Sequence, residues 1–478
     1  MDIIALLNGL VEGIFAAEEE FLKEPGKFSE FETKVHRLFD KGALGFIEGT
    51  LTEMDQLICE SAYRKLHYDI QRHDKRTLIT TVGDAVFEQT LFRSREDGTY
   101  RYLLNEMLGL DPHERFSEAA EAEMIGEAVR TSYREAAKAL PSGSKISKTT
   151  VMNKIHGITE ILPEEKAEEK KQCRILYIDA DEDHIAEQHG KGSREANGSF
   201  ISRLAYVYEG KKEACAGRKE LTGTHYIGGL YGGSEGVRRI WEDTWEYIRK
   251  NYDTAVLEKI YVSGDGAAWI KACEEYLPLS EFVLDKFHLM KYINRAAGQM
   301  LDEKDECRNE LYRLIIGNHK KEFERYTELM AASAGNDGPV LELKTYVLNN
   351  WKAVQTAYHD RETAGCSAEG HVGHVFSDRM SSRPMGWSQR GADSMSRLRC
   401  FVRNSGEEKI IELVSYIRKQ KCEAKTGTYG SEACKERFIR TNNDCYDQSR
   451  SYIDRLQATI PGLTAKKSFS ISRQLRLI

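Results

Sequence analysis

The chain has 478 residues, of which 40% are hydrophobic and 30% are charged. One hydrophobic core does not extend over such a length, so two to four domains are expected. No stretch reaches the roughly 18 to 20 apolar residues of a membrane span, and the N-terminus lacks the basic start of a secretory signal. Ten cysteines without a Cys-x-x-Cys pair indicate reduced thiols. We predict a soluble, cytoplasmic, multidomain protein with no membrane partner.

The N-terminal third is predicted to contain a helical region, residues 1–70, followed by a β-meander, residues 71–105. Apolar positions such as Phe21, Phe28 and Phe39 repeat with helical periodicity. The period then changes to β-branched and aromatic runs at 77–82, 85–92 and 99–104, which are separated by glycine-aspartate turns. The pattern predicts three short strands joined by hairpins.

A helix-turn-helix-like region is predicted at residues 106–165. Two helices at 117–132 and 133–140 precede a turn that contains glycine, and Ser147 has the position of an N-cap for a third helix. Such a polar helix is typical of DNA recognition, so the candidate DNA-contacting residues are Ser147, Thr149, Thr150 and Asn153. An ordinary helical hairpin is the alternative.

The pattern of strands and helices after residue 172 predicts an α/β catalytic domain at 172–405. Strands are expected at 174–181, 202–208, 224–230, 259–263 and 281–284, with helices at 235–252 and 267–276. Three consecutive strands followed by alternating helices and strands suit a mixed sheet of the ribonuclease-H-like type. Residues 286–365 are expected to form a helical insertion, and a further helix begins near Ser388.

Acidic residues stand where this sheet would expose them. Asp179, Asp181 and Asp183 alternate along the first strand, so their side chains share one face. Asp265 lies between two glycines at the end of an apolar strand, where open α/β sheets bind ligands. Glu369 follows the helical insertion. A solvent-facing strand end and a helix cap are the structural alternatives for the aspartates.

Carboxylate oxygens favour hard divalent cations, so the predicted cofactor is Mg²⁺ or Mn²⁺. Two such ions can activate a water or a 3′-hydroxyl and stabilise the leaving oxygen of phosphoryl transfer. A zinc site that uses His288, His371 and His374 is the alternative, and it lacks a fourth ligand of clear spacing.

Basic residues are concentrated in the C-terminal third, although the net charge is −7. Six arginines stand against two aspartates between residues 378 and 403. Residues 415–478 hold thirteen Lys/Arg and six Asp/Glu, so that 13 − 6 gives +7. We predict a basic C-terminal region at 406–478 that attracts phosphates, with a solvated helical face as the alternative. The candidate DNA-contacting residues before it are Arg379, Arg383, Trp387 and Arg390, and a buried tryptophan is the alternative for Trp387.

Five ordered motifs carry a resemblance to a known family. They are YIDADEDH at 177–184, GDGAAWIK at 264–271, LDKFHL at 284–289, AEG at 368–370 and MGWSQRGA at 385–392. In this order they resemble the bacterial insertion-sequence transposases of the ISLre type, which are related to the Mutator-like group. The resemblance runs from the predicted meander to about residue 399.

The resemblance implies a DDE triad at Asp181, Asp265 and Glu369, which would hold two metal ions. Asp179 and Asp183 compete with Asp181 for the first position, and Asp181 is the one that matches the family's aspartate. Asp285 and His288 resemble an Asp-x-x-His element, and together with Asp179 they are assigned supporting roles.

A DNA transposase is the function that the resemblance implies. It would bind the terminal inverted repeats of its element as double-stranded DNA, cleave and join strands, and work as a homo-oligomer in the nucleoid of a bacterium. The alternatives are an inactive or domesticated DNA-binding derivative and a ribonuclease-H-like nuclease without strand transfer.

Overall fold

The computed structural model describes residues 3–426, except residues 112, 142, 164–168, 189–197, 216–217, 301–302 and 384. The chain divides into two compact units, one of residues 1–154 and 409–478 and one of residues 155–408. Most of the predicted basic region, residues 427–478, lies outside the described residues. No helix in the described part of the chain is both long enough and apolar enough to cross a lipid bilayer.

The first unit begins with a helical hairpin and a small sheet. Its elements are α1 (Ile3–Lys23), α2 (Phe28–Glu60), α3 (Ala62–His67), β1 (Tyr68–Thr80), β2 (Gly83–Ser94), β3 (Tyr100–Arg101), α4 (Leu103–Met107), α5 (Glu118–Arg130), α6 (Tyr133–Ala136) and α7 (Lys148–His156).

The β-meander is confirmed, and two of its predicted boundaries are wrong. The three strands pair antiparallel in the order β1-β2-β3. β1 begins at Tyr68, ahead of the predicted start, because its polar first half is held by pairing with β2 and not by burial. β3 has two residues, and Leu103 and Leu104 turn into α4, where both are buried in the core of this sheet.

The second unit contains the larger sheet and most of the helices. Its elements are β4 (Ile175–Ala186), β5 (Ser199–Tyr208), β6 (Gly210–Cys215), β7 (Arg218–Thr222), β8 (His225–Gly229), α8 (Gly233–Asn251), β9 (Lys259–Gly264), α9 (Ala268–Lys271), α10 (Cys273–Tyr276), β10 (Ser280–Leu284), α11 (Lys286–Ala297), α12 (Lys304–Ile316), α13 (Lys320–Ser333), α14 (Gly338–Asn349), α15 (Trp351–His359), α16 (Ala368–Val372), α17 (Asp378–Met380) and α18 (Gln389–Ser405).

A mixed five-stranded sheet forms the centre of this unit, as predicted. Its order is β10-β9-β4-β5-β8. β4, β5 and β8 pair antiparallel, whereas β4, β9 and β10 pair parallel. The parallel strands need crossover connections, and α8 and the pair α9 and α10 occupy them. Leu176, Ile178 and Ala180 alternate along β4 and are buried in the main core, which leaves the intervening residues to the opposite face.

The helical insertion is confirmed, and other details differ from the prediction. Five helices, α11 to α15, follow β10 in the stretch predicted to be helical. The single helix predicted at 267–276 is divided into α9 and α10 at Ala272. The hairpin of β6 and β7 was not predicted, because its sequence lacks an apolar alternation. The predicted start of a helix near Ser388 is confirmed, since the Ser388 hydroxyl accepts the Gly391 N–H of α18 at 3.1 Å.

The last described helix, α19 (Ile410–Thr426), belongs to the first unit and not to a separate C-terminal region. An ion pair joins it to Glu121 of α5, and Lys154 of α7 contacts the same glutamate. Arg418 contacts Glu121 and donates to the Phe116 carbonyl at 2.9 Å. Lys154 lies 2.8 Å from Glu114 and 2.9 Å from Glu121. All four charged side chains are at most 21% exposed, so each depends on the others for neutralisation.

Replacing Arg418 by alanine is expected to lower the free energy of unfolding by about 3 kcal/mol, because Glu121 would stay buried with only Lys154 to balance the two glutamates. Chemical denaturation of the full chain measures this change. The matched control is Lys138→Ala, which removes an exposed pair with Glu135 and should cost less than about 1 kcal/mol. Equal effects of the two substitutions would show that the cluster has no special role.

Candidate functional site

The first two acids of the predicted triad lie on neighbouring parallel strands. Asp179 of β4 is level with Ser263 of β9. Asp181 lies two residues further along β4, and Asp265 directly follows Gly264, the last residue of β9. Because side chains alternate along a strand, Asp181 is on the same face as Asp179. The sheet therefore brings together two carboxylates that are 84 residues apart in sequence (265 − 181).

Two glycines shape the turn that carries Asp265. A Cβ atom at Gly264 would lie 2.8 Å from the Ala180 carbonyl oxygen of β4, and Gly266 has a φ of +92°, so both positions require glycine. The Ala267 N–H donates to Asp265 Oδ1 at 2.8 Å. The Tyr346 hydroxyl, from the helical insertion, donates to the Asp265 carbonyl oxygen at 2.6 Å. These contacts fix the backbone and occupy one carboxylate oxygen.

The charges of this site act on one another. Burial raises the pKa of Asp181 to about 6; the hydrogen bond from the Glu182 N–H opposes this shift, and the charge of Asp265 adds to it. The hydrogen bond with Asp285 raises the pKa of His288, and the charges of Asp181 and Asp265 raise it further. His288 thus lies within electrostatic reach of both aspartates. Among the described residues, the Asp181 carboxylate accepts a hydrogen bond only from the N–H of Glu182.

Asp285 orients His288. It follows β10, and its own N–H donates to the Gly264 carbonyl at 2.8 Å, which joins the ends of β9 and β10. Asp285 Oδ1 caps α11 by accepting the Phe287 N–H at 3.0 Å, and Oδ2 lies 2.9 Å from His288 Nδ1. The backbone of Asp285 therefore holds the end of β10 against β9, and its buried carboxylate caps the helix and orients the imidazole.

Asp179 is fully buried and accepts four hydrogen bonds. The hydroxyls of Tyr206 and Tyr208 donate to it at 2.8 and 3.1 Å. The backbone N–H and the hydroxyl of Ser367 donate to its Oδ2 at 2.8 and 3.0 Å. Its oxygens are thus committed to neighbouring groups. Asp179 holds the residue that precedes α16, and it is not available to compete with Asp181 for a metal ion.

The third aspartate of β4 makes a similar attachment further along the strand. The Ser381 hydroxyl donates to the carboxylate oxygens of Asp183 at 3.0 and 2.8 Å. The segment from Ser367 to Ser381 is therefore tied at both ends to the strand that carries Asp181. Glu369 lies within this segment, on α16, and its side chain is exposed. The roles of Ser367 and Ser381 were not predicted, because a serine by itself gives no signal in the sequence.

The structure does not gather the triad into a closed cluster. Within the described ranges, no three His, Cys, Asp or Glu side chains form a group that could hold a metal ion. His371, which the zinc alternative uses, stacks on Tyr206 with ring centroids 4.4 Å apart, and its Nδ1 lies 2.8 Å from the Tyr226 hydroxyl. Burial lowers the pKa of His371 to about 4, so its imidazole is neutral and packed.

The predicted N-cap of the helix-turn-helix-like region is confirmed. Ser147 Oγ accepts the Thr150 N–H at 3.0 Å and lies 2.9 Å from the Thr150 hydroxyl. Thr149 and Asn153 are exposed on α7. DNA contact by these four residues stays a prediction.

The predicted arginine cluster is only partly on the surface. Arg379 and Trp387 are each 6% exposed. The guanidinium lies 4.9 Å from the centroid of the indole ring, and Trp387 Nε1 donates to the Met380 carbonyl at 3.0 Å. We therefore withdraw the DNA-contacting role for these two residues, because packing of the indole accounts for their position. Arg383 and Arg390 are exposed, although Arg390 donates to the His156 carbonyl at 2.8 Å.

Comparison with known proteins gives a family for the chain. Residues 21–416 match the family described as "Uncharacterised protein family (UPF0236)". One UPF0236 protein of Caldanaerobacter subterraneus subsp. tengcongensis is 37% identical over 398 residues, which cover 82% of this chain and 82% of the relative. Another from that bacterium is 36% identical over 415 residues, which cover 86% of this chain and 85% of the relative. The name of the first relative joins eleven locus designations, and that of the second joins four. The chain therefore belongs to the uncharacterised protein family UPF0236.

Proposed function

We propose that this chain is a DNA transposase that binds the ends of its element and cleaves and joins DNA strands at Asp181, Asp265 and Glu369. The observation that carries the proposal is the proximity of Asp181, within β4, and Asp265, directly after the neighbouring parallel strand β9. Two carboxylates of one sign, partly withdrawn from water, repel each other unless a cation lies between them. Such a pair lowers the stability of the fold, and we therefore assign it a role in binding cations and a charged substrate.

The sheet supports the ribonuclease-H-like part of the proposal. Counted along the chain from β4, and leaving out the β6–β7 hairpin, the strands have the spatial order 3-2-1-4-5. The first three are antiparallel, and the fourth and fifth are parallel to the first. This is the mixed type of sheet that we expected for a ribonuclease-H-like domain. The first aspartate lies on its central strand, and the second directly follows the neighbouring strand.

The donor set suits Mg²⁺ or Mn²⁺, because all the proposed ligands are carboxylates. Two such ions would activate the attacking hydroxyl and stabilise the leaving oxygen of an in-line phosphoryl transfer. Asp181 and Asp265 would hold them, and each keeps one oxygen for a local N–H bond that fixes its orientation. The charges of the same pair raise the pKa of His288, and Asp285 fixes the position of its imidazole.

Glu369 is the third proposed ligand. Without cations, a third carboxylate would add repulsion to a pair whose charges already oppose each other, which accounts for its exposure to solvent. The attachments of Ser367 to Asp179 and of Ser381 to Asp183 limit how far α16 can lie from β4. We propose that Glu369 joins the pair when cations and a DNA phosphate are bound.

The relatives support a mobile element. One name joins eleven loci of a single bacterium, and the same family occurs there under further names. Copies of a gene at many loci are what an element that moves its own coding sequence produces. The proposed partners are the double-stranded element ends and the target DNA, which exposed residues of α7 such as Thr149 and Asn153 would contact.

The proposal predicts that Asp181→Asn, Asp265→Asn and Glu369→Gln each reduce cleavage and joining of element-end DNA by more than about 100-fold. Substituting a residue that only supports a metal ligand already lowers activity by about 10- to 100-fold, and these residues would be ligands themselves. Binding of the same DNA should be nearly unchanged, since positioning contacts are separate from the metal ligands. The assay uses pre-cleaved duplexes with the terminal repeats read from DNA that flanks the gene, with and without Mg²⁺.

The control for these variants is Glu246→Gln, which changes an exposed carboxylate of α8 paired with Lys250 and should leave activity intact. Cleavage without joining by the wild-type chain would favour a nuclease. Binding to the repeats without any chemistry would favour a DNA-binding derivative.

Replacing Asp183 by alanine is expected to lower strand cleavage by about tenfold, because the far end of the segment that carries Glu369 would lose its attachment. Asp183→Asn keeps an oxygen that accepts from Ser381, so most of the activity should remain. The free energy of unfolding, measured in parallel, should change little for this half-buried side chain. Equal activity of the alanine variant and the wild type would show that the attachment does not position Glu369.

A further inference from the structure

The helical hairpin of the first unit has an apolar face that the rest of the described chain leaves largely exposed, although the Phe28 ring contacts that of Phe21 at its edge. Seven large apolar side chains of α1 and α2 are between 48% and 67% exposed. They are Leu7, Val11, Phe15 and Leu22 on α1 and Phe28, Phe39 and Phe46 on α2. We call this set the hairpin face. Exposed apolar side chains are common singly, whereas a continuous patch marks an interaction site.

The apolar arc of α1 is broader than its contact with α2 requires. Leu6, Leu10, Gly13, Ala17 and Phe21 point toward α2; Gly13 lies against Leu38, Gly45 against Leu6, and the Phe21 and Phe31 rings stack at 4.6 Å. At 100° per residue, the four exposed residues of α1 lie about 125° from the centre of this contact. Half of the apolar arc of α1 is therefore left uncovered.

The exposed residues of both helices lie on one side of the hairpin. On α2, Phe28, Phe39 and Phe46 lie about 90° from the contact with α1, in the same rotational sense as on α1. In an antiparallel pair, equal senses of rotation lead to the same side. Leu7 then lies near Phe46, Val11 near Phe39 and Leu22 near Phe28. The opposite side carries Glu20, Glu30, Arg37 and Lys41.

We infer that the hairpin face is the interface between two copies of this chain, which pack α1 and α2 as a four-helix bundle. The pairs of residues near both ends and the central Phe15 make the face nearly symmetric about its middle. A twofold axis there sets Phe15 against Phe15 and each end against the other, as an isologous dimer requires.

The size of the face fits this partner. The 21 residues of α1 span about 31 Å, and two helices are about 20 Å wide. The face thus offers about 600 Å² per copy, or about 1,200 Å² in a dimer, which reaches the lower limit of specific interfaces. α1 carries four glutamates and one lysine, so it would repel DNA and anionic lipid. The inference does not rest on the proposed transposase function.

Sedimentation velocity of the full chain without DNA tests the inference, between about 1 and 50 μM. The wild type is expected to be dimeric. The double variant Val11→Glu, Phe39→Glu should be monomeric with unchanged helix content, because both positions are exposed in one copy. Ala16→Glu places the same charge on the other side of α1 and should leave the dimer intact.

A monomeric wild type, a double variant that stays dimeric, or an Ala16→Glu variant that dissociates equally would overturn the inference. If the double variant loses helix content, the single variant Phe39→Ser tests the interface instead. It removes two buried rings from each dimer and should raise the dissociation constant by about 100-fold; an unchanged constant would contradict the assignment.

Discussion

The pairing of β4 with β9 is the constraint on which the site depends. It sets Asp181 and Asp265 side by side, and the repulsion between them contributes to a raised pKa at Asp181. The surrounding contacts maintain this costly arrangement. Gly264 and Gly266 fix the turn, Tyr346 holds its carbonyl, and the hydrogen bond between the Asp285 N–H and the Gly264 carbonyl joins the next strand. Electrostatic repulsion between side chains of like charge is typical of sites that bind a charged ligand.

The three alternating aspartates of β4 have different roles. The carboxylates of Asp179 and Asp183 accept hydrogen bonds from Ser367 and Ser381. Asp181 lies between them and accepts one hydrogen bond, from the neighbouring Glu182 N–H. One strand thereby carries a proposed metal ligand and also both attachments of the segment that contains Glu369. The separation of roles explains how three aspartates can share one face. Asp179 and Asp183 accept hydrogen bonds from neutral donors, and Asp181 is left for a cation.

Much of the second unit follows from its sequence, because the strands of its core alternate and Asp265 is marked by flanking glycines. The positions of Asp181 and Asp265 in this sheet were predictable for that reason, whereas Asp285 and His288 were assigned only through the resemblance to the transposase family. Contacts between distant segments were not predictable, because the sequence around Asp179 does not indicate that its carboxylate is buried against Ser367. The burial of Arg379 was not predicted, and the burial of Trp387 was predicted only as the alternative, because arginine and tryptophan suit both a packed core and a nucleic-acid surface.

The account depends on Asp181 and Asp265 acting together on a divalent cation. Titration of Mn²⁺ into the full chain, followed by electron paramagnetic resonance, measures this directly and needs no DNA substrate. We expect saturable binding by the wild type and at least tenfold weaker binding by both Asp181→Asn and Asp265→Asn. Equal binding by the wild type and the two variants would contradict the account.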